Sequence, residues 1–158
     1  FLVGTLGKAW ASLGAYIICT SALREYLINT VRPFIFTTAL PPVNIAWSRF
    51  VLGQFATADA AARRQHLAEL AGMMHAFADS LGQSVRSTSQ IVHIITGENE
   101  RTLNIAGHLQ REGFYVMAIR PPTVPAGSAR LRISLTAGTA RSDVQALIAL
   151  LGRLLHEY

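Results

Sequence analysis

The chain opens with apolar residues in short unbroken runs. Phe1-Leu2-Val3 is interrupted by Gly4-Thr5-Leu6-Gly7, and the longest run, Leu13 to Cys19 with Gly14 inside it, carries Ile17 and Ile18. Runs of this length with β-branched residues predict a strand end over residues 1–3 and a buried strand over residues 13–20, with Lys8 in the loop between them. Ser21 stands where it can cap a helix over about residues 22–31, stopped by Pro33. Phe34 to Thr38 then reads as extended, up to the boundary formed by Pro41-Pro42.

From Asn44 to Phe55, and again from Asp59 to Leu81, the apolar spacing becomes helical. In the second stretch Leu67, Leu70, Ala71, Met74, Phe77, Ala78 and Leu81 form one stripe opposite Arg64, Gln65 and Asp79. That helix is long enough to connect two domains. After Gly82 the pattern reads strand (91–95), helix (about 100–112), strand (114–119), proline-rich loop, strand (129–135) and a last helix (142–156), which predicts a compact α/β layer. Gly113 falls where a helix C-terminus favours positive φ, and Ser142-Asp143 where an N-cap and a first-turn acid belong. There is no internal repeat and no low-complexity segment.

Composition narrows the classes. The chain has 158 residues, 51% of them hydrophobic and 15% charged, which excludes disorder and allows a sizeable core. No apolar run approaches the roughly 20 residues of a membrane helix. A single cysteine, Cys19, excludes an internal disulfide framework and a cysteine-rich zinc site, so a reducing compartment, the cytoplasm, is expected. Fourteen basic against nine acidic residues give a net charge of +5, but the basic residues are scattered. Only Arg63-Arg64 and the Arg130/Arg132 pair lie close together, which argues against a nucleic-acid surface. The opening Phe-Leu-Val-Gly has no Met, no basic n-region and no cleavage-site pattern. It reads as neither a native start nor a signal peptide, and predicts a piece of a longer protein.

Thirteen of the fourteen basic residues are arginine, which leaves Lys8 as the one lysine. The P-loop pattern fails around it, because Leu2 stands at the first glycine position and Ala9 follows the lysine. Two readings stay open: a solvated loop lysine, and a Schiff-base lysine. The second favours a sheltered position flanked by small residues that admit a flat cofactor, and Gly4, Gly7 and Ala9 are such neighbours. The Thr5 hydroxyl lies three residues upstream, where it can donate to a phosphate.

Other constellations are weak. A nucleophile elbow around Ser12 would need glycine where Trp10 stands. His66, His75, His93, His108 and His156 show no zinc-site spacing, so no metal is expected, and the acids are spread too thinly for a paired-carboxylate site. The segment Ile119 to Ser134 is more informative. Three prolines stiffen a loop that runs into a strand, and Arg130 and Arg132 alternate with Leu131, so both arginines point to one face. Arg132 is expected deep in an apolar strand, where an unpartnered charge would cost several kcal/mol, so a bound carboxylate is the better explanation for it.

Three anchors, Thr5-Leu-Gly-Lys-Ala9, Phe36-Thr-Thr-Ala-Leu-Pro-Pro42 and the Ile119 to Ser134 segment, occur in an order and spacing that resemble the α-oxoamine synthases, fold-type I pyridoxal-phosphate enzymes. Pro121-Pro-Thr-Val-Pro-Ala-Gly127 followed by Ala129-Arg-Leu-Arg132 is the most specific of them, and resembles the branch that acts in biotin synthesis. The resemblance runs essentially the whole chain. It implies an α/β fold: the end of a fold-type I large domain over residues 1–58, a connecting helix over 59–82, and a small C-terminal α/β domain over 83–158 with helices on a short sheet. It further implies that Lys8 binds pyridoxal 5'-phosphate as an imine and shuttles the Cα proton, and that Thr5 bonds the cofactor phosphate. Thr38, with Thr37 beside it, reaches the phosphate in the other subunit of a homodimer. Arg132 clamps the substrate carboxylate, and Thr123 lines the same pocket.

The implied reaction is decarboxylative condensation of L-alanine with a pimeloyl thioester carried on coenzyme A or a carrier protein. A relative that uses glycine, or a non-catalytic structural module, is the alternative. The sequence departs from the family pattern at Trp10-Ala11-Ser12, where glycine-rich sequence is usual, and after Thr136, where Ala137-Gly138-Thr139 lacks the usual histidine. In the family the groups that hold the pyridine ring lie upstream of the matched segment, so the piece by itself is expected to be inactive.

Overall fold

In a computed structural model, which describes residues 1–83 and 87–158, the chain forms two units, Phe1–Ala61 and Ala62–Tyr158. Residues 84–86, inside the expected small domain, lie outside the described residues. No helix among the described residues is long and apolar enough to cross a membrane.

In the first unit, β1 (Leu2–Thr5) and β2 (Ala15–Ile18) pair antiparallel, Thr5 opposite Ala15 and Leu2 opposite Ile18. Helices α1 (Ser21–Thr30), α2 (Arg32–Ile35) and α3 (Pro42–Gln54) follow. Three expectations need correction here. The second strand is shorter than expected and exposed, Ile18 retaining 62% of its surface, because within the unit the two-stranded ribbon meets α1 only across an open pocket lined by Val3, Ile17, Leu27 and Ile28. Thr20, with extended dihedrals, is the cap of α1: its hydroxyl accepts from Leu23 N–H, so Ser21 is already helical. Residues 34 and 35 are helical instead of extended, since Pro33, with φ fixed near the helical value, starts α2 and does not merely end α1.

The second unit carries the core. Helix α4 (Ala58–Ser80) begins in the first unit and runs into the second, where it buries Leu70, Ala71, Met74 and Ala78, four of the seven stripe residues, with Leu67, Phe77 and Leu81 half-buried beside them. Strand β3 (Ile91–Gly97), helix α5 (Asn99–Arg111), strand β4 (Met117–Ile119), strand β5 (Ala129–Ser134) and helix α6 (Arg141–Glu157) complete it. The sheet order is β3-β5-β4, antiparallel throughout. Burial alternates along β3 and β5, so Val92, Ile94, Leu131 and Ile133 face the core with Ile105, Leu109, Leu151 and Leu154 from α5 and α6. The opposite face stays partly open to solvent.

Gly113 has φ +88 at the end of α5, as its position predicts. Ser142 does not cap α6. The cap residue is Ala140, which offers no side-chain bond, while Asp143 does occupy the first turn. The strand expected from Phe114 is also shorter. Phe114 N–H is taken by Leu109 C=O, which closes the helix end, and pairing with β5 begins only at Met117.

Candidate functional site

Lys8 lies in the loop that joins β1 to β2. Leu6, the one buried apolar side chain of the first unit, anchors the base of the loop, with its N–H bonded to Gly14 C=O at 2.8 Å. Ser12 N–H returns to Leu6 C=O at 2.9 Å, and Ala11 N–H to Lys8 C=O at 2.8 Å. Ala11 takes φ 46, a left-handed conformation that a non-glycine residue adopts at some cost.

The loop is tied to α3 from outside. Trp47 Nε1–H donates to Ala11 C=O at 2.9 Å, Ser48 Oγ–H to Ser12 Oγ at 2.8 Å, and Ser12 Oγ–H to Asn44 C=O at 3.4 Å. Trp10 sets its ring edge-on against Tyr16 and Phe55, with centroids 6.4 and 5.0 Å apart. The residues that break the glycine-rich pattern after the lysine are therefore the ones that fix its loop.

The Lys8 side chain is exposed, and among the described residues it has no ion pair. Thr5 ends β1, also exposed. The exposed amine corrects the expectation of a sheltered position, since its small neighbours Gly7 and Ala9 are exposed with it. Thr37 and Thr38 lie exposed beyond α2, where Thr37 Oγ1–H approaches Thr38 C=O at 3.5 Å.

In the second unit Arg132 is exposed, which corrects the expectation that it lies deep in an apolar strand. Its neighbours Leu131 and Ile133 point into the core, and the alternation of the strand turns Arg132 to the open face beside half-buried Arg130. The cost of a buried charge is thus no argument for a bound carboxylate. Charge crowding remains one: among the described residues neither arginine has an acidic partner, and Arg130 Nε–H goes to Ser128 C=O at 3.0 Å.

The register places His93 directly opposite Arg132 on one side and Met117 on the other. Burial, and then the charges of Arg130 and Arg132, hold the His93 imidazole below its ordinary range. Thr123 is exposed in the turn between β4 and β5, where its N–H bonds Arg120 C=O at 3.0 Å; the Pro121-Pro122 bond in that turn is cis. Lys8, Thr5, Thr37 and Thr38 thus belong to one unit, Arg132 and Thr123 to the other.

Nothing in the local sequence marks Trp47 or Ser48, and His93 stands out there only as one of five histidines without zinc-site spacing. Its alternation with Val92 and Ile94 is legible along the chain, but the residue that faces it depends on register. No group of three or more metal-binding side chains occurs among the described residues.

The chain belongs to the aminotransferase class I and II family, whose model matches residues 1–151. Within that family, a Glaesserella parasuis protein that bears the provisional name 8-amino-7-oxononanoate synthase is 47% identical over 152 residues, covering 96% of this chain and 40% of its own length. The 8-amino-7-oxononanoate synthase of Haemophilus ducreyi is 44% identical over 154 residues, covering 95% of this chain and 38% of its own length. The chain spans about two-fifths of the length of the curated relatives it matches.

Among solved structures, the 8-amino-7-oxononanoate synthase of Francisella tularensis superposes with a TM-score of 0.81 at 26% identity, over 98% of this chain and 44% of that one. A serine palmitoyltransferase of S. paucimobilis, solved with pyridoxal phosphate and myriocin, superposes with a TM-score of 0.82 at 25% identity, over 99% of this chain and 40% of that one. These matches bear out the expected family, and the end of a fold-type I enzyme followed by a small α/β layer fits both structures.

Proposed function

We propose that this chain is the C-terminal part of an 8-amino-7-oxononanoate synthase, a pyridoxal-phosphate-dependent acyltransferase of biotin synthesis. The whole enzyme joins L-alanine to a pimeloyl thioester. In the net reaction Cα exchanges its bond to the carboxylate, which leaves as CO2, for a bond to the thioester carbonyl carbon, and the carrier departs as a thiol with the one proton taken up. The observation that carries this reading is 44–47% identity, over almost the whole chain, to proteins of that name. The 25–26% identity to serine palmitoyltransferases and the 26% to a solved 8-amino-7-oxononanoate synthase support the family alike; the choice of alanine rests on the 44–47% identity.

Pyridoxal phosphate, when bound, would supply an electron sink for the negative charge left at Cα when its proton or its carboxylate departs. Lys8 is the residue that would hold its aldehyde carbon and, once displaced by the amino acid, carry a proton at Cα. Thr5 would donate to its phosphate. Thr38, with Thr37, would serve the phosphate in the partner copy of a homodimer.

Arg132 offers a planar fork of donors that matches a carboxylate, and Thr123 would line the same pocket. Clamping the carboxylate decides which Cα bond stands across the ring plane, and so which bond breaks.

The test uses the full-length protein. L-alanine should change its visible absorbance, and product should form with pimeloyl thioester far faster than with glycine or L-serine, or with an acetyl thioester. Lys8→Ala should lose turnover by at least about a thousandfold together with the absorbance change. A Lys8→Ala protein that behaves like its parent would end the lysine assignment. Arg132→Gln should raise KM for alanine by about ten- to a hundredfold, the order expected when a charge-assisted bond is removed.

A further inference from the structure

We propose, on the reading that Arg132 holds the substrate carboxylate, that His93 is the third donor of that carboxylate site. The open face of the sheet in the second unit is built around it. His93 pairs across from Arg132 in the β3-β5 register, and side chains so placed have Cβ atoms about 4.5–5.5 Å apart. Arg130, two residues along β5, lies opposite Ile95 on the same face.

The surroundings hold no competing charge among the described residues. Strand β4 contributes Met117 and Ile119 to this face, and β5 adds Ser134. Helix α5 packs on the other face, and its Arg101 donates to Thr96 C=O and Leu155 C=O. On α4, His75 Nε2 bonds Ser89 C=O. Two guanidiniums and one imidazole therefore share a face with no carboxylate, an arrangement suited to an anion from outside.

The imidazole presents one nitrogen to that anion. Nδ1 is buried and has no hydrogen-bond partner. A buried N–H without an acceptor is costly, so the neutral ring carries its proton on Nε2. That N–H is a third donor at neutral pH.

Burial and then the two arginine charges oppose protonation of His93, which would also place a proton on the buried Nδ1; an arriving carboxylate offsets the arginine part, so binding raises the proton affinity of the ring. The sign follows from linkage: a group that binds protons more readily in the complex strengthens binding as the pH falls. A hydrophobic strand position would show no such effect.

Propionate has alanine's carboxylate and carbon chain without its amine, so it probes this site alone. It is titrated into the full-length protein between pH 6 and 8, and the dissociation constant is read from the propionate methyl resonance. The parent should bind measurably more tightly toward acid, by less than the roughly tenfold per pH unit that one full proton taken up would give, because burial still opposes the charge. His93→Gln keeps an N–H donor that cannot titrate. It should match the parent at pH 8 and lose the slope. His93→Leu should lose the slope and bind about fivefold more weakly at pH 8, a loss of about one hydrogen bond.

A pH-independent parent, or a parent slope kept in both variants, would overturn the role of His93 while binding that still requires Arg132 leaves the carboxylate site standing. Unchanged binding in Arg132→Gln, or no binding by the parent at any pH, would overturn both.

Discussion

Leu131 has no exposed surface, although it stands between Arg130 and Arg132. Replacing it with alanine removes packing from the centre of the three-stranded sheet, and the second unit should lose about 2–5 kcal/mol of stability, read as a lower denaturant midpoint. Arg132, one residue on, is exposed, so its replacement should leave that midpoint unchanged and act on ligand binding alone. His93 falls between these cases. Its imidazole titrates below the ordinary histidine range because of burial and the nearby arginines, so the folded state binds fewer protons than the unfolded chain. Stability of the second unit should therefore fall as the pH drops through the ordinary value of about 6.5 towards the lowered one, and His93→Gln should flatten that part of a thermal-midpoint profile. An unchanged profile in the variant would show that other groups set the acid sensitivity.

At the scale of elements, the loop that carries Lys8 has its geometry set by α3. Trp47 and Ser48 bond Ala11 and Ser12 across more than thirty residues of sequence. Trp47→Phe keeps an aromatic ring, though a smaller one, and removes the donor, and it should weaken pyridoxal phosphate binding to the full-length protein several-fold without changing the helical signal; equal cofactor affinity would show that the loop holds itself. The helices were legible where their periodicity was strong. The stripe from Leu67 to Ala78 on α4 packs as its spacing requires, because 3.6 residues per turn puts those positions on one side whatever the partner is. Ends were less legible. Thr20 and Ser21 are both good caps, and only the extended dihedrals of Thr20 decide between them. Pro33 stops one helix and starts the next, a double use that composition does not reveal.

Over the whole molecule, burial is unequal. The core cluster of buried residues lies entirely in the second unit, while the first buries Leu6 alone among its apolar side chains. Hydrogen exchange on the 158-residue chain should follow that difference, with β3, β5 and α6 slow and β1 and β2 fast. Equal protection in both units would mean that the ribbon of the first is covered in solution. The exposed β2 marks the limit of hydropathy as a guide. An apolar run with isoleucines predicts burial, but burial needs something packed on the strand, and within its own unit the ribbon meets α1 only across an open pocket.

The residues alone determined the elements of the α/β layer, the position of the single lysine between two strands, the shared face of Arg130 and Arg132, and the family. These follow from periods of 2 and 3.6 and from motifs read along the chain, which are local properties. Tertiary structure decided what lies across the chain: that Arg132 is open to solvent, that His93 stands opposite it with one nitrogen buried, and that Trp47 and Ser48 hold the lysine loop. Each of these depends on strand register or on contacts between distant residues. A one-residue slip of β5 against β3 would turn the arginines to the other face, and nothing in the local sequence of either strand fixes that register by itself.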